Sequence, residues 1–405
     1  MPSTLPPGDP APPDGGLPQP ARSAVGERPL SVYLHVPFCT TRCGYCDFNT
    51  YTATELGPAP GASRAGYADT AIRELDLART VLGQEAPAVS TVFVGGGTPT
   101  LLPPEDLGRM LTAVRERFGL VEDAEVTTES NPESIDAAGL ARLRELGFTR
   151  VSFGMQSVVP HVLAVLDRVH SPGRPSRAVA EARAAGFAQV SLDLIYGTPG
   201  ESTADWEASL DTALAADPDH ISAYALIVED GTRLASRIRR GELAMPDDDD
   251  LADKYLVAEE RLTAAGYTAY EVSNWARRPD AVCRHKLAYW RSDDWWGIGP
   301  GAHSHVAGVR WWNVKHPQAY AARLDDRVSP AQARETLTPE DRRVERVLLE
   351  LRLAEGLPLA VLTETERHRV PDLVVRGLAE EDGSRLTLTL RGRLLADGVI
   401  RDLLD

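Results

Sequence analysis

The sequence predicts an α/β fold: an open three-quarter (βα)6 barrel followed by a small C-terminal helical, winged-helix-like domain. Three observations predict it. From Ser31 onward, short β-branched runs alternate with amphipathic helical stretches, the pattern of repeated βα units around a parallel sheet. Six such units can be counted, too few to close an eight-stranded barrel. After about Arg323 the character changes to helices with one short strand-like segment.

The strands read as Ser31 to Pro37, Thr91 to Gly95, Glu125 to Glu129, Arg150 to Phe153, Gln189 to Tyr196 and His220 to Ile227. Helices are expected from Pro104 to Phe118, Ser134 to Leu146 and Asp205 to Ala216, and again from about Leu251 to Ala265 behind the acidic run Asp247 to Asp250. That run suits a solvated helix start, where the macrodipole favours carboxylates. Before the first strand, residues 1–28 are dense in Pro and Gly and poor in large apolar side chains, so they are expected to be a disordered tail. Residues 29–322 form the core and its extension. Residues 323–405 form the appendage, with helices from Pro339 to Leu353 and Leu359 to His368, a strand from Arg385 to Leu390 and a last helix from Gly392.

Composition narrows the function. A chain of 405 residues that is 43% apolar and 25% charged can bury one large core and a smaller one. A net charge of -16 argues against nucleic-acid binding, which needs a basic face. No apolar run approaches the roughly 18 residues of a membrane span, and the N-terminus lacks a signal-peptide pattern, so a cytoplasmic protein is expected. Three of the four cysteines fall within eight residues, which suits a metal site in a reducing compartment rather than a disulfide framework.

Those three, Cys39, Cys43 and Cys46, follow the first strand at spacings that let one loop wrap one cluster. Zinc sites usually need two separated ligand pairs, and a redox pair needs only two thiols. Three thiolates can bind three irons of a [4Fe-4S] cluster and leave the fourth open to a ligand. Gly95, Gly96, Gly97 and Thr98 end the second strand, where residues without side chains let backbone approach a ligand closely. Glu129, Gln156, Arg168 and Asp193 bring polar groups to later strand ends, each either a site residue or a structural hydrogen-bonder.

Taken in order, these motifs resemble the radical S-adenosylmethionine (SAM) superfamily, and over the first 305 or so residues they resemble its oxygen-independent coproporphyrinogen III oxidase family. The resemblance implies that Tyr33, Tyr45, Gly96, Gly97, Thr98, Glu129, Gln156, Arg168 and Asp193 contact SAM. Within that family, Phe48 stands where the dehydrogenases carry a further cysteine and matches the heme-chaperone branch instead. The stretch Cys283-Arg-His285-Lys286-Leu-Ala-Tyr289-Trp290 and the following Gly299-Pro-Gly-Ala-His303-Ser304 resemble motifs of that branch, although Lys286 replaces its usual asparagine. An imidazole among large aromatic faces suits a flat macrocycle with a central iron, which makes His285, Tyr289 and Trp290 candidate heme contacts. Equally, His285 can be a hydrogen-bonded core residue. Cys283 is expected to be a quiet buried thiol.

The resemblance implies a chaperone that binds heme and passes it to acceptor hemoproteins, at the membrane surface for respiratory acceptors, with a cluster-dependent homodimer. The rival expectation is a coproporphyrinogen dehydrogenase of porphyrin biosynthesis. A third, docking or DNA binding through the C-terminal domain, is disfavoured by the acidic charge.

Overall fold

The structure, a computed structural model, describes residues 5–57 and 63–405. In chain order its strands are β1 (Asp9–Pro10), β2 (Leu30–Val36), β3 (Val89–Gly96), β4 (Leu120–Ser130), β5 (Arg150–Gln156), β6 (Gln189–Tyr196), β7 (His220–Ala225) and β8 (Thr268–Ala269). There follow β9 (Asn274–Ala276), β10 (Asp294–Ile298), β11 (His303–Val306), β12 (Val309–Asn313), β13 (Ala331–Thr336), β14 (Leu357–Pro358), β15 (Ala379–Glu381) and β16 (Arg385–Leu388).

The strands β2 to β7 pair in sequence order and in parallel, which is the expected (βα)6 arrangement. The sheet then continues past both ends of this run. On one side β10 adds a seventh parallel strand beside β2, followed by the antiparallel β11, β12, β13 and β1; on the other, β9 and β8 extend β7. Among the described residues no pairing joins β1 to β8, so the sheet is open. The helix Pro104–Phe118 shows why these segments fold as they do. Proline starts it, Glu105 and Asp106 meet its positive end, Arg115 and Arg117 its negative end, and Gly119 closes it at φ 74°. Its buried stripe of Leu107, Met110, Leu111, Val114 and Phe118 faces the sheet.

Three expectations are corrected. The segment read as a disordered tail is ordered from residue 5. Asp9 and Pro10 pair with Arg334 and Ala333, Leu17 and Ala21 are buried, and Arg334 donates to the Gly16 carbonyl at 3.0 Å. Backbone pairing with a sheet edge supplies what the poor apolar content of that segment cannot. The domain boundary lies later than residue 322, because β13 belongs to the large sheet and the second hydrophobic core begins at Val347. Within the C-terminal unit, the sheet β14-β16-β15 packs on helices Pro339–Glu350 and Ala396–Leu404. There the segment expected to be one helix from Leu359 to His368 splits at Thr363, whose capping box starts a new helix at Glu364.

Two buried charges pin the core. The Glu74 carboxylate, fully enclosed, accepts from Gly299 N–H and from Asn313 Nδ2 at 2.8 Å each and from the Tyr320 hydroxyl, tying a helix to β12 and the turn after β10. Arg150, 1% exposed, pairs through Nε with Glu125 at 3.3 Å and donates to Ser191 Oγ and to the carbonyls of Ala281 and Val282. Glu125 in turn accepts from the backbone N–H groups of Arg284 and His285 at 3.1 and 3.0 Å, capping the helix Arg284–Trp290.

Candidate functional site

The loop after β2 carries the three thiols, all half-buried, and is fastened on several sides. Cys39 N–H donates to the Tyr51 carbonyl at 3.0 Å, and Thr98 N–H to the Phe38 carbonyl at 2.8 Å. Gly44 N–H donates to the Leu166 carbonyl at 3.1 Å, and its own carbonyl accepts from Leu234 N–H at 2.8 Å. Burial pushes the Cys39 thiol up and the Cys46 thiol up to about 11. Such thiols give up their protons to a metal centre rather than to water. Among the described residues no group of three or more His, Cys, Asp or Glu side chains is arranged to hold a single metal ion.

Gly97 closes over this loop. A Cβ there would collide with the Phe38 carbonyl and lie 3.0 Å from Cys39 Sγ, so the position requires glycine. Gly96 N–H donates to Glu129 Oε2 at 3.0 Å. Burial, and behind it the nearby Asp193, push the Glu129 carboxyl up to about 7. Asp193 accepts from Ser152 Oγ at 2.9 Å through one oxygen, while its other oxygen is buried with no partner among the described residues. Arg168 reaches from beyond β5 to place Nη1 3.5 Å from Cys43 Sγ and Nη2 2.9 Å from the Gly154 carbonyl; its Nε is buried with no partner among the described residues. Gln156, in the left-handed region at φ 62°, turns its amide toward the same point, and a Cβ on Gly154 would come within 3.0 Å of both Gln156 and Arg168. Tyr45 packs half-buried against Val162 and Leu166. The Tyr33 hydroxyl lies 3.0 Å from His35 Nδ1, and His35 Nε2 is 2.9 Å from the Asn49 carbonyl. The structure therefore brings the polar residues singled out in the sequence to the C-terminal ends of adjacent strands. His35, Ser152 and Ser222 join them unforeseen; the i, i+2 spacing of Tyr33 and His35 on one strand face was the available signal for the first. Orphaned polar atoms on Asp193 and Arg168, a glycine cradle and a loop of three thiols fit a polar cofactor bound beside an iron–sulfur cluster.

The candidate heme residues lie elsewhere in the same interior. His285 is buried, with Nδ1 2.6 Å from the Thr91 hydroxyl and Nε2 2.9 Å from the Tyr289 hydroxyl, and burial pulls its pKa down to about 3. Both ring nitrogens are engaged within the chain by hydroxyl groups. Tyr289 stands edge-on between His285 and Trp295, at 4.9 and 4.8 Å, and Trp290 is half-buried. Lys286 donates to Ser222 Oγ, Tyr224 OH and Asn274 Oδ1 at 2.7 to 3.0 Å; its three donors are all used. Cys283, 2% exposed, lies 3.5 Å from Glu125, far from the thiol loop.

Three thiols on the loop after the first strand of an open parallel βα sheet, with a glycine cradle on the next strand, define a radical SAM protein. The model of the Radical SAM superfamily matches residues 33–213. The chain is 54% identical to the heme chaperone HemW of Mycobacterium tuberculosis over 95% of its length and 97% of that protein's. It is 32% identical to the HemW proteins of Bacillus subtilis, over 91% of its length, and of Escherichia coli, over 92%, covering 97% of each. The chain belongs to the HemW family. Among solved structures, coproporphyrinogen III oxidase (HemN) from Escherichia coli shares the fold, with a TM-score of 0.80 over 95% of this chain and 92% of that one at 24% identity.

Proposed function

We propose that the protein is a heme chaperone: it holds a [4Fe-4S] cluster and SAM, takes up heme and passes it to acceptor hemoproteins. The observation that carries this is full-length identity to HemW proteins combined with a thiol loop that fits a cluster. Cys39, Cys43 and Cys46 would hold the cluster. Gly96, Gly97 and Thr98 would let backbone approach SAM, with Glu129, Gln156, Arg168 and Asp193 around it. When bound, this pair supplies an open iron and a sulfonium open to reductive cleavage. The chain's own groups position and neutralise: Glu129 and Asp193 offer negative charge to a cationic ligand, and Arg168 sits against Cys43. Phe48, 47% exposed, fills with an apolar ring the place of the dehydrogenase's extra cysteine, which favours chaperone over enzyme.

Acceptors at a membrane surface and a cytoplasmic home belong to the same proposal. No helix among the described residues is long and apolar enough to cross a membrane, while Val375 at 86% and Leu395 at 50% exposure give the C-terminal unit apolar surface for docking. A cluster-dependent homodimer and no nucleic-acid partner complete it. The deciding experiment supplies the reconstituted protein with SAM, reductant and coproporphyrinogen III, and in parallel titrates it with hemin. Stoichiometric heme binding without protoporphyrinogen is expected; many turnovers of product would overturn the proposal.

Two smaller predictions arise here. Gly97→Ala should cost about 1–3 kcal/mol locally through overpacking against the Phe38 carbonyl. Iron content per chain should drop with the far-UV spectrum unchanged. SAM affinity should rise with pH through about 7, because a cationic ligand favours the ionised form of Glu129, which faces Asp193 and Lys286. Glu129→Gln should weaken SAM roughly tenfold and flatten that dependence, read by equilibrium binding from pH 6 to 8. Without ligand the sign reverses for stability. The raised carboxyl is fully stabilising only below its ordinary value of 4.5, and that contribution is lost as pH rises through about 7.

A further inference from the structure

The helices that follow β3, β4 and β5 enclose a cavity of about 610 Å³ behind the loops that carry the cofactor residues, a volume in the usual range for small-molecule sites. Its floor is apolar: Leu102, Leu107 and Leu143 are buried and Ile135 is half-buried. One wall is the helix Arg174–Ala184, which presents Arg174, Arg177 and Glu181 on a single face at spacings of three and four. On another side stand the hydroxyls of Thr100 and Ser134, 2.5 Å apart.

The charges on these walls are not equally free. Asp136 accepts from Gly139 N–H at 2.8 Å, Glu133 from Ser171 N–H at 2.7 Å, and Glu181 pairs with Arg174 Nη2 at 2.9 Å. Each carboxylate is thus committed within the chain. The cations are not. Arg174, 9% exposed, spends Nη2 on Glu181 and on the Ile135 carbonyl at 2.7 Å, while its Nη1 is buried with no partner among the described residues. A buried guanidinium with an unmet donor is costly until something completes it. Arg177, exposed and nearly one turn further along the helix, has no side-chain partner among the described residues. The cavity therefore joins unspent cationic donors to an apolar floor.

We propose that this cavity is an effector site for a small organic acid with an apolar body, its carboxylate held by Arg174 and Arg177 and its chain laid on the leucines. Guanidinium groups match a carboxylate in both charge and shape, and the leucine floor accommodates what the carboxylate carries. The site acts on the cofactor, a reach that rests on the SAM reading above. Thr100 lies two positions beyond Thr98, and Glu133 four beyond Glu129. Ser171, three beyond Arg168, donates its N–H to Glu133, and its carbonyl accepts from Arg174 N–H at 2.9 Å. The three loops that would hold SAM thus share their far side with this cavity. A ligand that ties the helix Arg174–Ala184 to the cavity floor holds those loops together, so the acid and SAM strengthen each other's binding.

The test titrates the full-length, cluster-reconstituted protein with octanoate by calorimetry, with and without SAM, using octanamide as the uncharged control. Octanoate should bind with a Kd of about 1 mM or below, and octanamide at least about tenfold more weakly. Arg177→Glu, at an exposed side chain, should weaken octanoate at least about tenfold and leave SAM affinity without octanoate unchanged. Octanoate near saturation should tighten SAM about fivefold, and SAM should tighten octanoate by the same factor. No octanoate binding by the wild type, equal binding of octanamide, or unaltered binding in Arg177→Glu would overturn the site. Octanoate binding that leaves SAM affinity unchanged would overturn its effector role. A protein that takes octanoate as described but no SAM would overturn the SAM reading and leave the acid site standing.

Discussion

Cys43→Ser should yield a folded chain without its iron, colourless where the reconstituted wild type shows broad visible absorbance. A three-thiolate site has no spare ligand, and a serine hydroxyl is a poor ligand for iron–sulfur clusters, so the expected loss is close to complete. Iron and sulfide analysis alongside the absorbance would measure it. The control is Cys283→Ser. Burial, and behind it the neighbouring Glu125, push that thiol up to about 12. Absorbance there should stay at the wild-type level. If Cys43→Ser retained the band, the cluster proposal would fail at its base.

The largest effect on stability should come from Arg150→Met. The substitution keeps most of the volume but leaves the Glu125 carboxylate buried without its cation, and removes donors from Ser191 Oγ and from the Ala281 and Val282 carbonyls. Breaking a buried ion pair on one side typically costs about 3–5 kcal/mol, far more than the pair is worth against an apolar replacement of both partners. The denaturation midpoint should fall accordingly. Adding Glu125→Gln should recover part of the loss, because the amide carries no charge and its oxygen can still accept from the first turn of Arg284–Trp290. A single-mutant loss below about 1 kcal/mol would show that water already reaches the pair.

How far the sequence carries can be judged from particular residues. The helix Pro104–Phe118 was legible to its ends because its punctuation is local: proline before, glycine after, charges ordered along the axis. The thiol loop was legible for the same reason, three cysteines within eight residues having few other uses. The polar residues at strand ends could be nominated from the repeating pattern, since each falls where a βα unit turns. The N-terminal segment was misread because its order comes from a partner strand, β13, more than three hundred positions away, which composition cannot see. The strands β10 to β13 were missed because tryptophans and the Gly299-Pro300-Gly301 turn break the alternation that marks a strand. His285 could be placed in a motif but not given a state. Only the hydroxyls of Thr91 and Tyr289, from elements distant in sequence or a turn along, show that its nitrogens are taken. Lys286 is similar: the sequence shows a cation where an amide is usual, and the structure shows the three oxygens that absorb it.

The pairing of β1 with β13 has a consequence for how this chain is made. Residues 9 and 10 leave the ribosome before the rest of the large sheet, yet their strand partner emerges only after the whole parallel sheet has done so. The inner strands can collapse on their neighbours as they appear, while the leading segment must wait, its closure delayed by an entropy that grows with the intervening length. The outer edge at β13 is thus the last part of the large sheet to be sealed. A nascent chain stalled before residue 331 would carry a free N-terminal segment open to proteases, and its protection on release would time the completion of the fold.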